Sequence, residues 1–223
     1  MSQLIAATVA FVLTHYMAST PLRATLIGKL GEGPYRGLFS VAAFTTLGWM
    51  IWAFSHAPLL FLWQGPGLRH LPLALMPFAF VFVAAALMTK NPTLVGMESA
   101  LKAREPAHGI LRITRHPMMW GLALWAIVHI LARGDAASLV FFGGFALLAL
   151  SGTVLIDRRK GAALGEDWTR FVAVTSNVPF AAILAARNQL RLAEIGWVKI
   201  GVGLAVYVVV LLAHPYLFGV RPY

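Results

Sequence analysis

Apolar residues run along this chain in long blocks, separated by short stretches where charge and turn formers collect. Six blocks predict helices: Gln3–Ser19, Gly37–Ser55, Leu71–Thr89, Pro117–Ala132, Ser138–Ile156 and Ile195–Leu217. They are nearly free of charge, so they read as membrane spans rather than as buried core helices. The first and fourth are short against the ~20 residues a span usually needs, which implies little tilt or a start within the headgroup layer. Turn formers mark the borders: "STPLR" after the first block, "KNPTLVG" after the third, "ARGD" after the fourth. No internal repeat or low-complexity tract divides residues 1–223. The expectation is an all-α polytopic membrane helix bundle of about six transmembrane helices, in one domain.

Composition agrees. Hydrophobic residues make up 59% of the 223 and charged residues 12%, with a mean hydropathy of +0.76. A soluble domain carries about twice that charge. The net charge of +10, from 18 Lys and Arg against 8 Asp and Glu, would suit a nucleic-acid binder. In a membrane chain it marks instead the loops held at the anionic cytoplasmic leaflet, and no nucleic-acid partner is expected. There is no cysteine, so disulfides, thiolate metal sites and thiol nucleophiles are excluded. The first 19 residues lack the positive n-region of a signal peptide and read as a retained helix.

Basic residues sort the loops. Arg23, Lys29 and Arg36 lie in the first; Lys90, Lys102, Arg104, Arg112 and Arg115 in the third; Arg158, Arg159, Lys160, Arg170, Arg187 and Arg191 in the fifth. The other side has Arg69, Arg133 and Arg221, while Lys199 sits near the inner end of the last span. This imbalance predicts both termini outside and the long loops in the cytoplasm. "FAAILAARNQLRL" in the fifth loop suggests a helix lying in the membrane interface, or a plain cytoplasmic helical turn.

That topology divides the histidines. His15, His108 and His116 belong near the cytoplasmic face; His56, His70, His129 and His214 belong near the outer one. His116 and His129, 13 residues apart on one helix, stand about 20 Å apart and do not share a small ligand. For His129 the sequence favours a hydrogen bond to a neighbouring helix over an outer ligand or relay with His56 or His214. His214 precedes Pro215 and suits a helix end; His70 suits a solvated loop. His15, near the cytoplasmic end of an apolar helix, is equally a satisfied structural histidine or a metal or haem ligand.

Arg112, Arg115 and His116 form a basic group where the fourth span starts, with Pro117 at N1, where its missing N–H costs nothing. The free N–H groups there favour an anion such as a carboxylate or propionate. A simple positive stop explains the arginines but not the histidine–proline pair. Asp157, beside Arg158 and Arg159, offers an acid–base or ion-pair partner for the Arg115 and His116 corner. Nothing has the spacing of a metalloprotease helix, a phosphate loop or a serine hydrolase elbow.

"LGEGPYRGLFS", "KNPTLVG", "ITRHPMMWGLALWAIVHILARGD" and "DRRKGAALGEDWTRF" resemble the NnrU family of bacterial membrane proteins over nearly the whole chain. The resemblance implies a polytopic inner-membrane protein associated with denitrification and nitrogen-oxide metabolism. That family is similar in turn to zeta-carotene isomerase, a membrane haem b enzyme that turns a cis double bond of a carotenoid precursor to trans with reduced iron. This likeness implies His15 at a haem-ligand position, and His116 and His129 at histidines of the fourth helix. The isomerase places its other axial ligand on the fifth helix, where this chain reads "FALLALSGTVLIDRR" without histidine or cysteine. The expectation is then a different second ligand, a five-coordinate iron or no iron, with His116 the best substitute ligand, ahead of Met17, Met118 and Met119. On this reading His15 and His116 are the catalytic and metal residues. Arg112 or Arg115 pairs the propionates, Asp157 and Arg158 complete the cofactor corner, and a hydrophobic polyene enters from membrane lipid.

A more distant likeness, on "RHPMMWG" and "LGEDWTRF", is to isoprenylcysteine carboxyl methyltransferases. It implies Arg115, His116 and Asp157 as contacts of S-adenosylmethionine and a lipidic methyl acceptor. A third expectation is a non-enzymatic accessory protein of a nitrogen-oxide respiratory complex.

Overall fold

Each apolar block folds as a helix, and what joins the blocks decides their lengths. The computed structural model describes residues 1–222. Its helices are α1 (Ser2–Met17), α2 (Pro21–Leu30), α3 (Glu32–Ser55), α4 (Leu71–Leu87), α5 (Pro117–Arg133), α6 (Ala136–Val174), α7 (Ala181–Leu184) and α8 (Trp197–Phe218). Among the described residues there is no strand, only an isolated bridge between Phe61 and Asp135. The all-α bundle is thus observed. Four helices are long and apolar enough to cross a membrane: α3, α4 with the turn before it, α6 and α8. α1 and α2, bent by 72° at "AST", make a fifth if taken together. α5, at 17 residues, is the short apolar helix of the set.

Two lengths depart from the apolar pattern. α6 does not stop at Ile156 but runs on through "DRRKGAALGEDWTRF" to Val174, 39 residues in all. About half of that stretch is Arg, Lys, Ala, Leu or Glu, good helix formers whatever their hydropathy. The backbone breaks at Gly165 (φ 53°, ψ −125°), a conformation that L side chains resist. The piece beyond it carries Trp168 and Phe171 into an apolar cluster with Ala85, Ile110, Leu111 and Ile195. In the opposite direction, the interfacial helix expected in "FAAILAARNQLRL" shrinks to the four residues of α7.

The bundle is ordered α3–α1–α6–α5–α4–α8 by which helices touch. Small residues allow two of these approaches: a Cβ at Gly121 would stand 2.9 Å from the Ala79 carbonyl oxygen, and one at Gly203 2.7 Å from Val81 Cα. Leu4, Phe11, Met50, Ala126, Phe141 and Phe142 form the core where α1, α3, α5 and α6 meet. Large apolar side chains such as Phe44 and Val209 face outward, as in a bundle solvated by lipid.

The two ends of the bundle differ. At the Arg133 end, the loop after α3 is strapped across the α5–α6 turn: Leu62 N–H and Trp63 N–H donate to the Gly134 carbonyl at 2.8 and 3.1 Å, and Ala136 N–H to that of Leu60 at 2.8 Å. At the Pro117 end, here the basic end, the segment after α6 returns beneath α5. Arg115 N–H donates to the Ser176 carbonyl at 3.0 Å, and Phe180 N–H to that of Ile113 at 2.8 Å. Lys160 reaches both the Leu94 carbonyl and Glu98, tying the loop after α4 to α6.

Candidate functional site

Pro117 opens α5 and His116 is its N-cap, so the two residues before the helix are aimed by the first turn toward α6. Asp157 sits on α6 opposite them. Arg115 Nε donates to Asp157 Oδ1 and Oδ2 at 2.9 and 3.0 Å, and its Nη2 also reaches Oδ2. His116 Nε2 meets Asp157 Oδ1 at 2.7 Å. One carboxylate therefore holds two side chains of the neighbouring element. The corner is buried: His116 is 1% exposed and Arg115 8%. With Nε2–H given to Asp157, His116 keeps a lone pair on Nδ1, which is buried and has no hydrogen-bond partner. Burial pushes the imidazole below its ordinary 6.5, and Asp157 offsets part of that. The neutral ring is thus the resting form. Chemically the corner is a sealed hydrogen-bond acceptor on an oriented imidazole.

Arg112, expected beside Arg115, turns the other way. Its Nε donates to Glu194 Oε2 at 2.6 Å, its Nη1 to Asn188 Oδ1 at 2.6 Å, and its Nη2 to Glu194 Oε1 and Glu105 Oε2 at 3.1 and 3.2 Å. The Arg112 guanidinium holds the Glu194 carboxyl down at about 2. Arg158 is exposed, and no hydrogen bond or ion pair joins it to a described residue. The structure brings together Arg115, His116 and Asp157; Arg112 and Arg158 stand apart from them.

His15 lies elsewhere. Its Nδ1 bonds the Phe11 carbonyl at 2.8 Å, and its ring packs on Phe11 and on Phe39 of α3 at 4.4 and 5.7 Å. None of these neighbours is shared with His116, and the two rings are not brought into contact. His129 does not bond a neighbouring helix: its Nδ1 takes the Trp125 carbonyl of its own helix at 2.7 Å, and its ring stacks on Phe142 of α6 at 4.8 Å. His214 Nδ1 bonds the Val220 carbonyl at 2.8 Å, the helix-end role expected of it.

The donor set can be matched to haem residue by residue. His15 fits: a ligand histidine usually spends its other N–H on a carbonyl, as Nδ1 does here, leaving Nε2 for iron. His116 does not fit, since Asp157 takes Nε2 and protein encloses Nδ1. Arg112 and Arg115 donate mainly to carboxylates, not toward a propionate site beside His15. Among the described residues no three His, Asp or Glu side chains converge as a metal site. Haem therefore has one fitting ligand here, not the expected pair.

Sequence reasoning passed over the segment that frames this corner. The Asn177 carbonyl accepts from Thr114 Oγ1 at 2.5 Å and from Trp120 Nε1 at 2.8 Å. Asn177 Nδ2 in turn donates to Thr153 on α6 at 2.9 Å. The "TSNVP" that follows α6 carried a signal, polar turn formers before a proline, but nothing in its spacing names α5 as its partner. A second feature is a cavity of about 210 Å³ open on the outer face of the bundle between α1 and α6, lined by Thr8, Val9, Val12, Leu13, Gly143, Gly144 and Leu147. His15 lies two helical turns from Thr8 on nearly the same face of α1.

The family described as NnrU protein matches residues 3–222. Over 174 residues the chain is 30% identical to the 15-cis-zeta-carotene isomerase, chloroplastic, of Zea mays, covering 77% of this chain and 41% of that one. Over 82 residues it is 39% identical to the protein of the same name from Arabidopsis thaliana, covering 37% of this chain and 22% of that one. The chain therefore spans less than half the length of either relative. No solved structure matches it.

Proposed function

The chain belongs to the NnrU family, and from that membership we propose a membrane-embedded isomerase that turns a double bond of a carotenoid-like polyene from cis to trans. The observation that carries the reading is the apolar cavity between α1 and α6, open on the lipid side, with its Val12 wall about one helical turn before His15. A polyene has no polar group to recognise, so an apolar groove entered from the bilayer is the site it needs. Thr8 is the one polar side chain in that wall, and its Oγ1 is buried without a partner. The setting is a multi-pass chain of a bacterial inner membrane, with basic loops in the cytoplasm and both termini outside.

In this proposal His15 would hold haem b, which when bound would supply the reduced iron that eases rotation about a double bond. The protein's own residues orient. His15 Nδ1–H on the Phe11 carbonyl fixes the ring, and Tyr16 Oη with Ser151 Oγ at 2.8 Å holds that end of α1 on α6. The corner of Arg115, His116 and Asp157 sets α5 on the other side of α6. Isomerisation leaves substrate and product with the same atoms, so no proton or leaving group has to be carried away.

The test uses the full chain purified in detergent, with oxidised and reduced absorption spectra and 15-cis-zeta-carotene as substrate. Expected are a Soret band that shifts on reduction and conversion to the trans product, both lost in His15→Ala. A colourless protein that leaves the polyene unchanged overturns the reading. In that case binding of S-adenosylmethionine, weakened in Asp157→Ala, favours the methyltransferase. Co-purification with a nitrogen-oxide respiratory complex favours the accessory role in denitrification.

A further inference from the structure

A second cavity, of about 370 Å³, opens at the basic end away from His116, between the 101–107 segment, the end of α6 and the 187–191 segment. Five arginines line it, Arg104, Arg112, Arg170, Arg187 and Arg191, against two carboxylates, Glu105 and Asp167. Like charges gathered around one hollow repel, so the arrangement needs an anion or a framework that holds it open.

The framework is visible. Arg112 is clamped by Glu194, Asn188 and Glu105. Arg187 Nη1 spreads over the Val172, Ala173 and Thr175 carbonyls at 3.2, 2.7 and 3.0 Å, and Asn188 Nδ2 takes that of Val174 at 2.6 Å. These two residues satisfy the free carbonyls at the end of α6 and thereby fix the wall. The remaining arginines are left for a ligand. Arg170 and Arg191 make exposed pairs three residues along their own segments, which are worth little. Arg104 has no hydrogen bond or ion pair with a described residue.

We propose that this cavity binds a phosphate group, carried either by an anionic phospholipid headgroup or by a free phosphate ester. Guanidinium forks from separate segments suit a multiply charged tetrahedral oxyanion better than a single carboxylate. Leu101, Ala107 and Val174 add an apolar side to the hollow. Basic pockets beside membrane helices on the cytoplasmic side hold lipid headgroups by this chemistry. The site is separate from the groove at His15 and does not depend on the isomerase reading.

The experiment titrates the unfolding temperature of the full chain in neutral detergent with inorganic phosphate, against sodium chloride at equal ionic strength. A parallel arm uses mixed micelles of phosphatidylglycerol against phosphatidylcholine. Arg104→Ser/Arg170→Ser removes two arginines that make no buried contact; Arg36→Ser removes one charge from the same end of the bundle. Stabilisation by phosphatidylglycerol alone assigns the headgroup, and stabilisation by inorganic phosphate assigns a soluble ester. In either case apparent affinity is expected to drop at least tenfold in the double variant and to hold in Arg36→Ser. No stabilisation by either probe, an unchanged double variant, or an equal loss in Arg36→Ser overturns the site.

Discussion

α6 carries a buried aspartate before its first turn, Asp135, and a half-buried one where its apolar stretch ends, Asp157, and the two do different work. Asp135 accepts from Ser138 N–H and Oγ at 2.8 and 2.7 Å and from Arg133 Nε at 3.1 Å; every partner lies within three residues. Asp157 accepts from Arg115 and His116, more than forty positions earlier in the chain. The first carboxylate satisfies the free N–H groups that begin any helix. The second satisfies nothing local and exists to fix α5 against α6. A cap finishes one element, whereas a carboxylate shared between two donors of another element specifies how elements pack.

The comparison is broken most sharply at Asp157. Asp157→Ala leaves a buried guanidinium and a buried imidazole without their acceptor, and removing one partner of a buried pair costs about 3–5 kcal/mol. Thermal unfolding in detergent should show this, and a double-mutant cycle with Arg115→Ala should recover a large coupling. A loss below about 1 kcal/mol, within the range of an exposed pair, would mean that α5 is held by something else. Asp135→Ala is expected to cost less, about 1–2 kcal/mol, the usual worth of an N-cap. Asp135→Asn should recover most of it, since an amide oxygen caps nearly as well. If Asp135→Ala proved the more damaging, the strap from Leu60 to Trp63 would be doing more than decorating the α5–α6 turn.

The same contrast explains what could be read beforehand. The start of α5 at Pro117 and the end of α3 at Ser55 were legible, because proline and a drop in hydropathy mark them locally. Asp157 was legible as a partner for Arg115 and His116, since all three fall at the same depth. The end of α6 was not: hydropathy stops at Ile156, while helix propensity continues through the charged stretch beyond it. Depth also misled for His15. Charge bias places His15 and His116 at one end of the bundle but says nothing of the angle about its axis. α1 packs on α3 and α6, and α5 on α4 and α6. Arg112 and Arg115 illustrate the same gap, since three residues apart they find carboxylates at Glu194 and Asp157 that no spacing rule connects.

Acid sharpens the difference between the two arginine clamps. His116 is held below 6.5 by burial, so as pH falls through that value the unfolded chain takes up a proton that the folded one refuses. Stability then declines toward the lower folded value, by at most about 1.4 kcal/mol per pH unit. Glu194, held at about 2, contributes stability that is present above its ordinary 4.5 and is lost only as pH falls from there toward 2. Between pH 6.5 and 5 the His116 corner should therefore contribute to the loss and the Glu194 clamp should not. His116→Gln should flatten that part of the profile and Glu194→Gln should not.

The smallest expected effect lies one residue from the largest. Arg158 follows Asp157 on α6, and a single step along a helix turns the side chain by about 100°. That rotation takes it from the α5 interface to an exposed face where no described residue pairs with it. Arg158→Ala should therefore leave stability within about 0.5 kcal/mol, and the double variant with Asp157→Ala should look like Asp157→Ala alone. The proposed haem spectrum and polyene conversion should be unchanged too, because the guanidinium reaches neither the corner nor the groove between α1 and α6. A loss above 1 kcal/mol, or a coupling to Asp157 in the cycle, would mean that the carboxylate serves a third donor. The boundary between the interface that packs the bundle and the charged face beside it would then have to move by one residue.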